Sequence, residues 1–437
     1  MVMASSAVPF GEREKRSGRE LLDRLRRVEN PSLTPLGEGF PIVWERARGA
    51  EVWDVDGRRY LDLTAGFGVA AIGHAHPAVA AAVAEQAARL PHAMADVHPA
   101  RVKIELLERL SHLVPDPLGV THLGLSGSDA VEAALKTALL GTGRPGVLAF
   151  EGAYHGLSYG ALPLAGAAGF RAPFAAQLGG HVRRAPWVGP ADARFGGIES
   201  MIASGEIGAV IIEPIQGRGG VRPAPPGLLA ALAELCPRHG VVLIADEIFT
   251  GFGRTGQMFA IEAEGVVPDI LLLGKALGGG LPISAAIGTK AVMGAWEGRP
   301  GPALHTQTFL GHPLAAAAAL ATLDVLATEG LVRRAAALGR ELQSDLRAAL
   351  AGVPGIAEVR GRGLLAGIAL VHPETGAPDG ARADRVMREL CAHGVLVLTA
   401  GEAGEVIEIS PPLMIEVSDL AHGMRAVHDV LAAVPPQ

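Results

Sequence analysis

Between about residues 120 and 290 two hydrophobic rhythms alternate along the chain. Short, nearly continuous apolar runs (VTHLGL, GVLAF, GAVIIEP, VVLIADE and DILLLGK) are separated by stretches whose apolar residues recur every three or four positions, such as SDAVEAALKTALL and PPGLLAALAELCPRHG. Runs of the first kind are what strands buried on both faces of a parallel sheet require. The second kind is helical periodicity. The alternation predicts an α/β fold: a large domain with a mostly parallel sheet flanked by helices.

The flanking regions follow other patterns. Residues 11–29 carry a charged amphipathic helical pattern, and PIVWERARGAEVWDVDGRRYLDL reads as a β-meander with Asp56-Gly57 at a hairpin turn. HPAVAAAVAEQAARL and RVKIELLERLSHLV are helical, and Ala-rich helices are expected at 313–329 and 331–352. Beyond them AEVRGRGLLAGIALV and VLVLTAG…VIEISPPLMI read as strands, with helices at 382–393 and 418–433. The expected organisation is an N-terminal segment over 1–75 packing with the small domain, a large domain over 76–320, and a smaller C-terminal α+β domain over 321–437.

Composition narrows the function classes. In 437 residues, 49% are hydrophobic and 19% charged, enough for a large core and unlike a disordered chain. The formal net charge of −7, without a long basic run, argues against a nucleic-acid partner. Two cysteines, Cys236 and Cys391, leave no disulfide framework and no cysteine-based zinc site. No apolar stretch has membrane-spanning length and none near the N-terminus resembles a signal peptide, so a cytoplasmic location is expected.

Lysine usage points to the chemistry. The chain has only five lysines, and one of them, Lys275, stands between an apolar run and three glycines in LLLGKALGGG. Arginine cannot form an imine; a lysine amine can. Asp246 closes the run VVLIADE, at the edge of an open α/β sheet where ligands bind. A pocket lysine and a strand-end carboxylate are two parts of a pyridoxal phosphate site, the lysine holding the cofactor as a Schiff base and the carboxylate keeping its pyridine nitrogen protonated. In LSGSDAVEAALK, Gly127 and Ser128 open a helix and suit either a phosphate cradle or a plain N-cap. Tyr154, with His155 beside it, can stack on a planar ring or pack a loop. Glu213 ends another strand, and Ile248 can cover the opposite ring face. Glu247 and Arg254 read as a structural pair. Thr308, before the helix at 313, is a phosphate ligand or a cap.

In this order and spacing VWDVDGRRYLDL, SGSDAVEAALK, AYHG, IIEPIQG, DEIFTGFGRTG, GKALGGGLP, TQTFLGHPLA, RGRGLLAGI and SPPLMI resemble the class III aminotransferases of pyridoxal phosphate fold type I, over nearly the whole chain. The resemblance implies an aminotransferase that moves an amino group from an amine or amino acid to a keto acid by a ping-pong route, with Lys275 as Schiff-base lysine and Asp246 as pyridine partner. It implies a homodimer with shared active sites, in which Thr308 comes from the other subunit. A racemase or aminomutase of the same fold, or a non-catalytic binder of the cofactor, is the alternative.

The chain also departs from the pattern. Phe249 stands where glutamate-using relatives carry Gln, and Leu157 where they often carry Arg. Many relatives read QGEGG with an Arg three residues before the PPL-type motif; here Arg218 and Glu408 invert both signs. These two are read as facing each other across the substrate pocket, or else as unrelated surface changes. Phe67, Arg218 and Glu408 are taken as substrate contacts.

Overall fold

The computed structural model describes residues 16–35, 37, 39–299 and 303–436. The first helix, Gly18–Val28, opens on a capping box in which Ser17 and Glu20 satisfy each other's backbone N–H groups. Residues 11–15 of the expected helix lie outside the described residues. The meander follows as β1 (Trp44–Arg48), β2 (Glu51–Asp54) and β3 (Arg59–Asp62), antiparallel throughout. Gly57, at a φ of +87°, makes the turn between β2 and β3.

The alternating region supplies β4 (Leu118–Gly124), β5 (Gly146–Phe150), β6 (Val182–Ala185), β7 (Ile207–Ile212), the two-residue pair β8 (Ile215–Gln216) and β9 (Arg222–Pro223), β10 (Val242–Asp246), β11 (Ile270–Leu273) and β12 (Ser284–Thr289). Seven of them form one sheet in the order β4-β12-β11-β10-β7-β5-β6. It is mixed: β12 pairs antiparallel with both β11 and β4, while the neighbours from β11 to β6 pair in parallel. Alternate residues of each strand enter different cores. Ala209, Ile211, Ile270 and Leu272 pack with Ala130, Val131 and Ala134 of the helix Gly127–Thr142, and Val210, Ile212, Leu271 and Leu273 join the larger core on the other face. That two-sided burial is why these strands lack polar alternation. The sequence pattern did not reveal β6, at the edge, or β12, whose SAAIGT is short in branched apolar residues.

The C-terminal part holds β13 (Ile356–Arg362), β14 (Leu365–Leu370), β15 (Val395–Leu396), β16 (Leu398–Ala400) and β17 (Val406–Ile409). Four of these form an antiparallel sheet in the order β13-β14-β17-β16; β15 instead pairs in parallel with β3 and completes the N-terminal meander. Among the described residues no single helix is long and apolar enough to cross a membrane.

Glycines let the C-terminal helix Leu331–Ala349 sit directly on the turn after β10. A Cβ on Gly256 would lie 2.8 Å from the Ala336 backbone, one on Gly339 would lie 2.4 Å from the Gly363 backbone, and one on Gly363 would lie 2.3 Å from the Thr255 carbonyl carbon. GFGRTG is therefore a packing surface as well as a turn. Helix propensity alone favours Ala over Gly by about 1 kcal/mol, but overpacking against backbone costs about 1–3 kcal/mol. Gly339→Ala is thus expected to lower stability in urea unfolding; a more stable variant would show that this close approach is absent.

Candidate active site

Parallel strands deliver their carboxyl ends to one edge of the sheet, and the candidate residues follow those ends. Asp246 is the last residue of β10, Glu213 follows β7, Tyr154 and His155 follow β5 by a short loop, and Gly274-Lys275 follow β11. Gly127 begins the helix after β4.

Asp246 is 5% exposed. Its Oδ2 lies 2.7 Å from His155 Nδ1, and its Oδ1 accepts from the Ile248 N–H at 3.1 Å. Burial works to lower the pKa of His155, but the hydrogen bond and charge of Asp246, with the charge of Glu213, outweigh it and raise the value. His155 thus holds the carboxylate in place and balances its charge, a role that a Tyr-His dipeptide in a loop did not announce. The other ring nitrogen of His155 is buried without a partner among the described residues.

The helix N-terminus separates capping from ligand binding. Ser126 is the N-cap, its hydroxyl accepting from the Asp129 N–H at 3.3 Å. Ser128 is not the cap; its Oγ lies 3.1 Å from that of Ser126. Gly127 and Ser128 occupy the first turn, whose N–H groups have no acceptor within the helix. Gly156, at a φ of +104°, lies so close that a Cβ there would be 2.5 Å from Ser128 Cβ, which brings the Tyr154–Gly156 loop onto this turn. Ile248 sits against Gly127 and Gly274, 3.0 Å and 3.3 Å from where their Cβ atoms would be.

Lys275 adopts a φ of +42°, a conformation that costs an L-residue energy and persists where the surroundings impose it. Its Nζ lies 3.8 Å from the centre of the Phe249 ring. That ring is wedged between Gly68 and Gly217, where a Cβ would come within 2.5 and 2.4 Å of it. Phe249 therefore offers its π face where a Gln would offer an amide. Burial lowers the Lys275 pKa, and Glu408, then Asp246 and Glu213, act in the opposite direction.

Both oxygens of Glu213 are engaged by backbone, from Tyr154 N–H at 2.8 Å and Gly217 N–H at 3.1 Å, so it buckles the loop after β5 to the turn after β8. Tyr154 meets Phe170 edge to face at 5.8 Å, and both line a cavity of about 400 Å³ with Arg218, Gly219 and Thr399.

Several expected arrangements differ. Glu247 and Arg254 are not a pair: Glu247 accepts from Thr250 Oγ1 and from the Ala260 and Ile261 N–H groups, and Arg254 donates to the Leu364 and Pro411 carbonyls. Arg218 and Glu408 form no ion pair. Arg218 is exposed and donates to the Thr399 carbonyl at 2.9 Å, whereas Glu408 is 4% exposed and accepts from Ser410 Oγ at 3.1 Å. Each has a separate partner, yet the Arg218 charge still reaches Glu408. Thr308 is exposed in the turn before the helix Pro313–Thr328, whose N-cap position is His312, so Thr308 does not cap it. Phe67 is 62% exposed at a φ of +63°.

The assembly offers a half-buried amine for imine chemistry, a braced carboxylate for a pyridinium nitrogen and a helix N-terminus with a hydroxyl for a phosphate. These residues fit pyridoxal phosphate.

Comparison with known proteins agrees. Residues 35–431 match the family described as aminotransferase class-III. The chain is 36% identical to the 5-aminovalerate aminotransferase DavT of Pseudomonas putida, over 91% of this chain and 95% of that protein. It is 41% identical to the acetylornithine aminotransferase of Mycobacterium tuberculosis, over 90% and 92%. Among solved structures, an amine transaminase from an uncultivated Pseudomonas species in its PLP-bound form aligns with a TM-score of 0.86 at 31% identity, covering 93% of this chain and 100% of that one.

Burial pushes the carboxyls of Glu213 and Glu247 up to about 7 from 4.5. A carboxyl whose folded pKa exceeds its unfolded value contributes most below the unfolded pKa and loses that contribution as pH rises through the folded one. The melting temperature is expected to fall between pH about 5 and 8, and Glu247→Gln should flatten that fall. An unchanged slope in the variant would show that Glu247 does not titrate in this range.

Proposed function

This chain belongs to the class-III aminotransferases, which are pyridoxal phosphate-dependent, and from that premise we propose how its own residues divide the work of a ping-pong transamination. The observation that carries the proposal is the half-buried Lys275 amine, in a strained turn, flanked by Phe249 and within electrostatic reach of Glu408 and Asp246. When bound, the cofactor supplies an aldehyde for amines and a ring that takes up an electron pair. Lys275 Nζ is the atom that takes the proton from the substrate carbon and returns it. Asp246, braced by His155, holds a proton at the pyridine nitrogen. Ser128 and the first-turn N–H groups hold the phosphate, Tyr154 covers one ring face and Ile248 the other. The donor is an amine or a hydrophobic amino acid, because Leu157 and Phe249 supply no grip for a distal carboxylate, and the acceptor is a keto acid.

The same reading includes a homodimer in the cytoplasm. Met94, Val97, Ile104, Leu304 and Phe309 are exposed large apolar residues flanking Thr308 in the chain and on the adjoining segment, with His92 and Phe309 in ring contact at 5.3 Å. A second copy that covers this surface would bring Thr308 to its partner's phosphate site. The buried thiols of Cys236 and Cys391, both unbridged, accord with a reducing compartment.

Lys275→Arg is expected to fold and to give no conversion of the cofactor to its amine form with any donor, because a guanidinium cannot replace the amine. Appreciable turnover by this variant would refute the assignment. His155→Phe is expected to lower kcat by about ten- to a hundredfold with little change in KM, as loss of a supporting hydrogen bond does; a pure KM effect would move His155 out of this role. Thr308→Ala should weaken cofactor binding by about tenfold, the loss of one hydrogen bond to a charged group. Mixed dimers of Thr308→Ala and Lys275→Ala chains should regain one intact site each. Sedimentation of an active monomer would overturn the shared-site reading.

A further inference from the structure

Lys275 Nζ lies over the Phe249 ring, 3.8 Å from its centre. Among the described residues the ring is the direct partner of this amine, which makes no hydrogen bond or ion pair there. The fold fixes both sides of the contact. The lysine backbone is held at a φ of +42° in the turn after β11. The ring is gripped between Gly68 and Gly217, and it packs against Ile215, Val221 and Leu365. Gly68 makes room for both partners: a Cβ there would stand 2.5 Å from the ring and 3.7 Å from Lys275 Cδ. The short helix Ala65–Gly68, the β8–β9 hairpin and the start of β14 thus converge to present one aromatic ring to one amine. A ring face carries negative potential and attracts an ammonium, more strongly where both are out of water. It has no lone pair to take a proton. It therefore favours the charged amine without tying its N–H groups to one direction. Burial acts against the charge on Lys275 and Arg254 adds to that effect, while Glu408, Asp246 and Glu213 act for the charge.

We propose that Phe249 is a positioning residue for the reacting amine: its ring face holds Lys275 as an ammonium whenever the lysine is not bonded to the cofactor, and so favours the amine form of the cofactor over the aldehyde form in this enzyme. This rests on the reading of Lys275 as the lysine that carries the cofactor. When an ammonium donor displaces Lys275, the C=N bond to Nζ breaks and a C=N bond to the donor nitrogen forms. Three hydrogens and one positive charge pass from the donor nitrogen to Nζ, so the exchange balances without a further reactant. The freed ammonium needs a partner in a half-buried site, and Phe249 is the group that already faces it. With the aldehyde form bound, Nζ is committed to the cofactor carbon and has no ammonium to offer the ring. The attraction therefore counts in one form of the enzyme and is reduced in the other.

The test is a competition. The full chain, freed of cofactor, is equilibrated near neutral pH with a mixture of pyridoxal phosphate and pyridoxamine phosphate, and the bound ratio is read by absorbance. Phe249 is exchanged for monofluoro- and pentafluorophenylalanine, which keep the ring's shape and drain its face of negative potential. Preference for the amine form is expected to fall stepwise, by about three- to tenfold at the pentafluoro ring. Phe249→Leu should lose the same preference. An unchanged ratio across the fluorinated series would overturn the inference, and so would equal weakening of both forms, which is what a ring that merely shapes the cavity predicts. Should Phe249→Leu fail to fold, the fluorinated rings still decide. Borohydride reduction of the wild-type holoenzyme followed by peptide mapping tests the underlying reading independently. Cofactor trapped on another lysine overturns the role of Lys275. Cofactor trapped on Lys275 with an unchanged ratio overturns only the role of Phe249.

Discussion

The site depends on holding a carboxylate where water cannot reach it. Asp246 is nearly fully buried at the end of a central strand, and burying a carboxylate costs free energy unless a partner is bonded to it. The 2.7 Å contact with His155 is what offsets that cost. It requires the loop after β5 to fold back over the end of β10. The Glu213 buckle to Tyr154 N–H holds that loop, and Gly156 lets it lie on the first turn of the helix Gly127–Thr142. Tyr154, the first turn at Gly127 and Ser128, and Asp246 are therefore positioned by one set of contacts around one buried carboxylate.

Much of this was legible in the sequence because strand ends are legible. Apolar runs that stop at Asp246, Glu213 or Gly274 place those residues on one edge through the geometry of parallel strands alone, and a lysine in a lysine-poor chain marks the chemistry. What stayed hidden depends on side-chain reach. Nothing in SGSD tells which serine caps and which is left for a ligand; the structure assigns the cap to Ser126. The proximity of Glu247 and Arg254 in sequence suggested a pair, but three donors claim the glutamate and two carbonyls the arginine. The inverted signs at Arg218 and Glu408 were visible as letters, yet their separation was not, because it depends on the Thr399 carbonyl and the Ser410 hydroxyl. β12 escaped notice because small residues suffice where a strand is covered on both faces.

Glycine has two duties in this fold, and only one belongs to turns. Gly68 and Gly217 leave room for the Phe249 ring under the Lys275 amine, so the aromatic residue at 249 depends on the absence of side chains at two distant positions. Gly256, Gly339 and Gly363 bring a C-terminal helix and hairpin onto the turn after β10, which buries Arg254 near Glu408. A change at any of these glycines would reach the chemistry through geometry alone.

The contributing segments are spread from Gly127 to Glu408, and the strand that carries Glu408 pairs with β16, its neighbour in the chain, and with the much earlier β14. Contacts between residues so far apart in sequence form late, after most of the loop-closure entropy has been paid. During synthesis the growing chain has Lys275 and Asp246 long before it has β17. A nascent polypeptide can therefore assemble the strand ends that carry Asp246 and Lys275 while Glu408 is still inside the ribosome. Assembly of the central sheet and arrival of Glu408 are separable events in the life of this chain, and the first can precede the second by more than a hundred residues of translation.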